Sequence, residues 1–161
     1  MKYIVLIISF VSIIQFSIQD KVTKIDKDNY KSLVLDSKKQ WILLFHSPKC
    51  GSCQEFEPTW NSLLEKVDHS EFGIVDVEDP KGNQLAQELD VLNEGIPNLK
   101  FIANEDHIYS VKKGTETFEL KDLIRRLTIL DVKAQRGFFK NKKDKKDKRK
   151  KEDLQYIINF H

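Results

Sequence analysis

The chain is read as an α/β domain in which a mixed central β-sheet is flanked by α-helices, and three observations predict it. Residues 41–45 (WILLF) form a continuous apolar run of strand length, which suits a central strand covered on both faces. Strand-like and helix-like segments alternate along the chain, and two neighbouring strands, 98–103 and 108–111, then close as a hairpin. The 161 residues, 40% of them hydrophobic, suffice for one core with short additions. On pattern alone, an α+β domain with the hairpin packed elsewhere stays open.

The elements follow in order. Residues 22–25 form a short opening strand. Residues 28–35 follow as a short helix, with Asp26 or Asp28 to cap it and Tyr30, Leu33 and Val34 as its apolar face. After the 41–45 strand and a Ser47-Pro48 turn, residues 50–67 read as a second helix. Its apolar positions Phe56, Trp60, Leu63, Leu64 and Val67 recur near a 3.6-residue period, and Pro58 predicts a kink near Gln54 and Glu55. Residues 72–77 (FGIVDV) are a strand and 83–89 a short helix, before a loop through Asn93 and Gly95. The hairpin strands are joined by the polar link Asn104, Glu105 and Asp106. Gly114 marks a turn, and Leu120, Leu123, Ile124, Leu127 and Leu130 then make the clearest helical face in the chain.

Both ends differ from this body. Met1 and Lys2 precede sixteen mostly apolar residues, 3–18, which fit the n-region and h-region of a secretory signal. No clean small-x-small cleavage triplet follows, so 1–19 is read as a signal peptide or, if uncleaved, as an N-terminal membrane anchor. Either places the protein in the endoplasmic reticulum lumen or the secretory path. Residues 20–132 are the folded domain, and 133–161 a basic, partly disordered extension with a short apolar end. The charge splits the same way: residues 20–139 carry 17 basic and 21 acidic groups, whereas 140–153 carry nine basic and four acidic. The interrupted basic run, with no aromatic residues between its lysines, is read as a solvated segment rather than a nucleic-acid surface. Six glycines and four prolines exclude collagen-like chains, and the apolar content excludes a wholly disordered one.

The chemistry is concentrated in Cys50-Gly51-Ser52-Cys53, which holds both cysteines of the chain. Two cysteines three apart at a helix start approach each other across the first turn. The first sees the unpaired N–H groups and the positive end of the helix, which favour its thiolate. Cys50 is therefore the attacking group and Cys53, a turn deeper, the resolver of a mixed disulfide. Gly51 and Ser52 permit the tight turn without adding a cation, and Lys49, immediately before, partly compensates but is worth little through flexibility and solvent screening. Two other readings remain open here: a short structural disulfide, or half of a zinc site. The other candidate ligands for zinc, His46, His69, His107 and His161, show no paired spacing. His46, beside the motif, is a polar cap on the strand end or a proton shuttle.

Residues 41–60 (WILLFHSPKCGSCQEFEPTW) resemble the active-site stretch of the thioredoxin superfamily, most closely the single-domain protein disulfide isomerase-like proteins. Phe45, Pro48, Cys50, Gly51, Cys53, Pro58 and Trp60 match its landmarks. Residues 95–102 (GIPNLKFI) resemble the family's cis-proline loop, and 111–127 its last turn and closing helix. The resemblance implies a thioredoxin fold with a cis Ile96–Pro97 bond facing the cysteines, where Ile96 and Pro97 position an extended client chain. It implies a thiol–disulfide oxidoreductase or isomerase acting on cysteine-containing protein clients, with an upstream thiol oxidase or glutathione as electron partner. No metal or organic cofactor is needed. The chain departs from the family at Leu44, where a buried carboxylate is usual, at Thr115, where an arginine follows the glycine, and at Ser52, where histidine is usual. These departures imply slower deprotonation of Cys53, so a client-binding or chaperone module with little turnover is the second reading.

Overall fold

A computed structural model of the protein describes residues 21–104 and 107–135. The apolar segment 3–18, the basic run 140–153 and the apolar end 154–160 lie outside the described residues. Among those described, no helix is long and apolar enough to cross a membrane.

Five strands form one mixed sheet in the order β1-β3-β2-β4-β5: β1 (Val22–Lys24), β2 (Trp41–His46), β3 (Glu71–Asp76), β4 (Asn98–Asn104) and β5 (His107–Lys112). The first three run parallel, while β4 is antiparallel to β2 and β5 to β4. The apolar run is thus the central strand, and five of its six residues are buried. Its side chains alternate between two core layers, as the pleat requires. Ile42 and Leu44 pack with Phe56, Trp60 and Leu63 of helix α1 (Gly51–Lys66) and with Leu123 and Leu127 of helix α4 (Leu120–Gln135). Trp41, Leu43 and Phe45 pack on the other face with Tyr30, Val34, Leu85 and Val91. The hairpin belongs to this sheet, which excludes the α+β alternative.

Several local expectations are corrected. The segment after β1 closes as a π-helical turn (Lys31–Leu35) with an N–H···O bond of 2.9 Å from Asp36 to Lys31. Asp26 caps the approach by accepting from the Asp28 and Asn29 amides. Tyr30 and Val34 face the core, but Leu33 is 40% exposed, because the wider turn closed by an i→i+5 bond moves it off the apolar face. Helix α2 (Pro80–Glu88) starts three residues early: the Asp79 carboxylate caps the Lys81 amide at 2.9 Å, and Pro80 needs no N–H partner in the first turn. The loop read through Asn93 contains a helical turn, α3 (Val91–Glu94). Asp90 takes φ of 60° to reverse the chain, which buries Val91 completely. Pro58 lies inside α1, which spans Gly51–Lys66, and α4 spans Leu120–Gln135.

Helix α2 sits on the sheet without room for a side chain at Gly82. A Cβ there would stand 2.0 Å from the Asp76 carbonyl oxygen and 3.0 Å from its carbon, whereas one at Gly51 would meet nothing within 4 Å. Gly82→Ala is therefore expected to lower the urea midpoint, at a cost of about 2 kcal/mol or more. Gly51→Ala should leave it nearly unchanged.

Candidate functional site

The site lies at the end of the sheet where β2 gives way to α1. Ser47 is buried at that turn, and its carbonyl accepts from the Cys50 amide at 3.1 Å. Cys50 is the N-cap of α1, with extended φ and ψ of −86° and 115°. Its carbonyl accepts from the Cys53 and Gln54 amides, both at 3.1 Å. Its Sγ also accepts from the Cys53 amide, at 3.3 Å, so that donor is shared between the Cys50 carbonyl and sulfur, and the sulfur lies 3.1 Å from Ser52 Oγ.

Both cysteines are free thiols, Cys50 partly exposed and Cys53 only 7% exposed. Burial alone would raise the Cys50 pKa. The hydrogen bonds it receives from Cys53 and Ser52 outweigh that and bring it below the ordinary thiol value. Cys53 moves the other way, pushed up to about 12, chiefly by burial and then by donating its proton toward Cys50. One partly exposed sulfur with a lowered pKa thus stands beside a buried one with a raised pKa.

The Ile96–Pro97 bond is cis, and the loop that carries it touches the motif. Ser52 Oγ reaches the Ile96 carbonyl at 3.5 Å, so the residue between the cysteines links Cys50 to the proline loop. Behind the loop, Gly95 and Gly114 meet backbone to backbone: the Gly114 amide donates to the Gly95 carbonyl at 3.2 Å, and both have positive φ. Their closeness crowds any side chain, since a Cβ on Gly114 would lie 3.0 Å from the Glu94 carbonyl oxygen and one on Gly95 3.3 Å from the Gly114 Cα.

A polar cluster anchors the same loop. The Glu94 carboxylate accepts from Lys100 Nζ at 2.7 Å, from Asn98 Nδ2 at 3.0 Å and from Ser110 Oγ at 2.8 and 2.9 Å, and it pairs with Lys113 Nζ at 2.8 Å. Asn98 Nδ2 also reaches the Gly95 carbonyl at 3.3 Å. Burial would raise the Glu94 pKa, but these donors overcome it and hold the carboxyl at about 2. Sequence reasoning missed this cluster, because Glu94, Lys100 and Lys113 look like ordinary surface charges.

Lys49 does not serve the thiol as expected. Its ammonium pairs with Glu78 at 2.9 Å, and Glu78 also accepts from Ser47 Oγ at 2.7 Å. His46 is the half-buried cap at the end of β2, opposite Asp76 in the register; burial lowers its pKa, while Asp76 and Glu57 act against that. His69 and His107 stand at the opposite end of the sheet, where His69 pairs with Asp68 and His107 Nδ1 lies 2.7 Å from Asn104 Oδ1. Among the described residues, no three His, Cys, Asp or Glu side chains are grouped to hold a metal. Leu44 is packed in the apolar layer beside Phe56 and Leu99.

A helix-start cysteine pair facing a cis-proline loop, on a five-stranded mixed sheet, defines a class of domain, and comparison places the chain within it. The thioredoxin family model matches residues 21–126, and the chain belongs to the thioredoxin family. It is 31% identical to mouse protein disulfide-isomerase A2 over 102 residues, 63% of this chain and 19% of that protein. It is 30% identical to human protein disulfide-isomerase A4 over 83 residues, 52% of this chain and 13% of that one. The chain thus spans a fifth or less of these relatives. Thioredoxin f from spinach chloroplast superposes with a TM-score of 0.55 at 22% identity, covering 68% of this chain and 93% of that one, and shares its fold.

The Glu94 cluster gives the site a defined acid limit. Its carboxyl has an ordinary pKa of 4.5 and a folded value of about 2, so the charge stabilises the fold fully above about 4.5 and less as pH falls toward 2. The difference corresponds to about 3 kcal/mol. Glu94→Gln should destabilise the protein by that order at neutral pH and flatten the loss of stability between pH 4.5 and 2, as read by urea unfolding across pH.

Proposed function

We propose that residues 20–132 act as a protein thiol–disulfide oxidoreductase of the disulfide isomerase type. Cys50 attacks a disulfide of a cysteine-containing protein client as the thiolate. Cys53 then displaces the client by attacking Cys50 Sγ, and the run in reverse passes a disulfide to a reduced client. The cis Ile96–Pro97 loop positions an extended client chain beside Cys50. Lys49, Gly51 and Ser52 shape the motif, with Ser52 Oγ 3.1 Å from the thiol and 3.5 Å from the Ile96 carbonyl, able to donate its one proton to either. The observation that carries this reading is the proton asymmetry: hydrogen bonds at the helix start lower the Cys50 thiol, and burial raises Cys53 to about 12.

The isomerase-named relatives and the leading segment 1–19 support a place in the secretory path, in the endoplasmic reticulum lumen or outside the cell. A thiol oxidase or glutathione would exchange electrons with the cysteine pair. The second reading, a client-binding module with negligible turnover, is favoured by one observation: Leu44 offers Cys53 no carboxylate to take its proton.

Insulin reduction separates the two. The wild-type chain should accelerate precipitation of the insulin B chain in the presence of dithiothreitol. Cys50→Ala should abolish the acceleration, and Cys53→Ala should suppress it and accumulate a mixed disulfide at Cys50. A rate indifferent to both substitutions would leave the client-binding module as the surviving reading.

A further inference from the structure

The described part of the molecule holds a buried cation that the reaction above has not used. Lys112 is 5% exposed and is the last residue of β5. Regular alternation along β5 would send Lys112 to the side of Ser110, which faces Glu94 and Lys100. A register shift intervenes: Leu99 pairs with Lys112 but Lys100 with Ser110, so Val111 is an extra residue in the ladder. Such a bulge re-aims the side chain that follows it. Val111 and Lys112 consequently both turn toward α1. Val111 joins the layer containing Phe56, and Lys112 Nζ lies over the Phe56 ring, 5.1 Å from its centroid. Phe56 follows Cys53 by one helical turn, and Leu44, Leu99 and Lys112 share one row across β2, β4 and β5.

The ammonium donates to the Gly114 carbonyl, a neutral acceptor. Burial lowers its pKa, and three groups oppose that by their negative charge: Glu116 on the turn before α4, and Cys53 and Cys50 on α1. The coupling is mutual, for Lys112 lowers the pKa of Cys53.

We propose that Lys112 is a positioning residue that acts through Cys53, its buried ammonium stabilising the Cys53 thiolate at the moment of resolution. The inference rests on the exchange reaction proposed above. In that step the Cys53 S–H bond breaks and its proton passes to solvent. The Cys53–Cys50 S–S bond forms as the Cys50–client S–S bond breaks. The client sulfur leaves as a thiolate and takes up a proton; the cysteine pair is oxidised and the client sulfur reduced. A carboxylate below the thiol would assist by accepting a proton. A cation assists by favouring the charge that remains, and an apolar neighbour such as Leu44 keeps that attraction unscreened.

Stopped-flow reaction of the reduced full chain with one equivalent of the aromatic disulfide DTNB resolves the two steps, because each releases one coloured thiolate. The first phase reports Cys50 attack and the second Cys53 resolution. Lys112→Met should slow the second phase about tenfold at neutral pH, the effect of one pKa unit, with a smaller change in the first. Lys112→Arg, which keeps the charge, should restore it to within about threefold. In the wild type, the second-phase rate should rise with pH and then flatten below pH 10.5, where Lys112 gives up its proton. That profile decides the matter even if Lys112→Met does not fold. An unchanged second phase in Lys112→Met, or a wild-type rate that climbs without a break past 10.5, overturns the inference while leaving the exchange reaction standing. Absence of both phases in the wild type would overturn the exchange reaction itself, and this role with it.

Discussion

The site depends on the hydrogen bond from the Cys53 amide to Cys50 Sγ. The first turn of a helix holds donors without a full intrahelical partner, and this chain shares one of them between the Cys50 carbonyl and the Cys50 sulfur. That choice makes Cys50 the partly exposed, readily ionised thiol. It also fixes Cys53 one turn further on, under the first sulfur and in contact with the core. The backbone that places the pair is in turn held by β2, whose burial on both faces leaves the β2–α1 turn little freedom. Core packing and nucleophile activation are therefore consequences of one junction.

Two polar arrangements flank that junction from opposite faces of the sheet. On one face, Glu94, Lys100, Ser110 and Asn98 pin the segment leading into the cis proline. On the other, buried Lys112 lies over the Phe56 ring, one helical turn from Cys53. Strand β5 serves both, giving Ser110 to one and Lys112 to the other, and only the extra residue at Val111 makes that possible. The charges differ in kind. Glu94 is surrounded by donors and contributes to stability. Lys112 has a carbonyl and an aromatic ring, and burying an ammonium without a paired carboxylate costs stability.

What could be read from sequence followed from local pattern. The five-residue apolar run pointed to a central strand, because its length suits a strand better than a buried helix and its unbroken apolarity suits cover on both faces. Cys50 and Cys53 were legible from spacing and from the strand preceding them. The cis bond at Pro97 was legible through family resemblance and not through periodicity, which describes a strand-start proline equally well. Lys112 was invisible because the rule that β5 alternates fails at an irregularity that no residue type announces. Lys49 was misjudged in the opposite sense: adjacency in sequence suggested a partner for the thiol, but Glu78, 29 positions away, claims it. Leu33 and the turn at Val91 failed for a shared reason, since both lie where the chain departs from 3.6 residues per turn or reverses direction at a positive φ.

The proton asymmetry is open to direct measurement. The reduced protein is treated with iodoacetamide across a pH series, and alkylation at each cysteine is followed by peptide mass spectrometry. Cys50 should alkylate with a midpoint below 9, the ordinary thiol value, while Cys53 in the folded chain stays unmodified until far more alkaline pH, in keeping with its value of about 12. Equal reactivity of the two sulfurs, or a Cys50 midpoint above 9, would contradict the account.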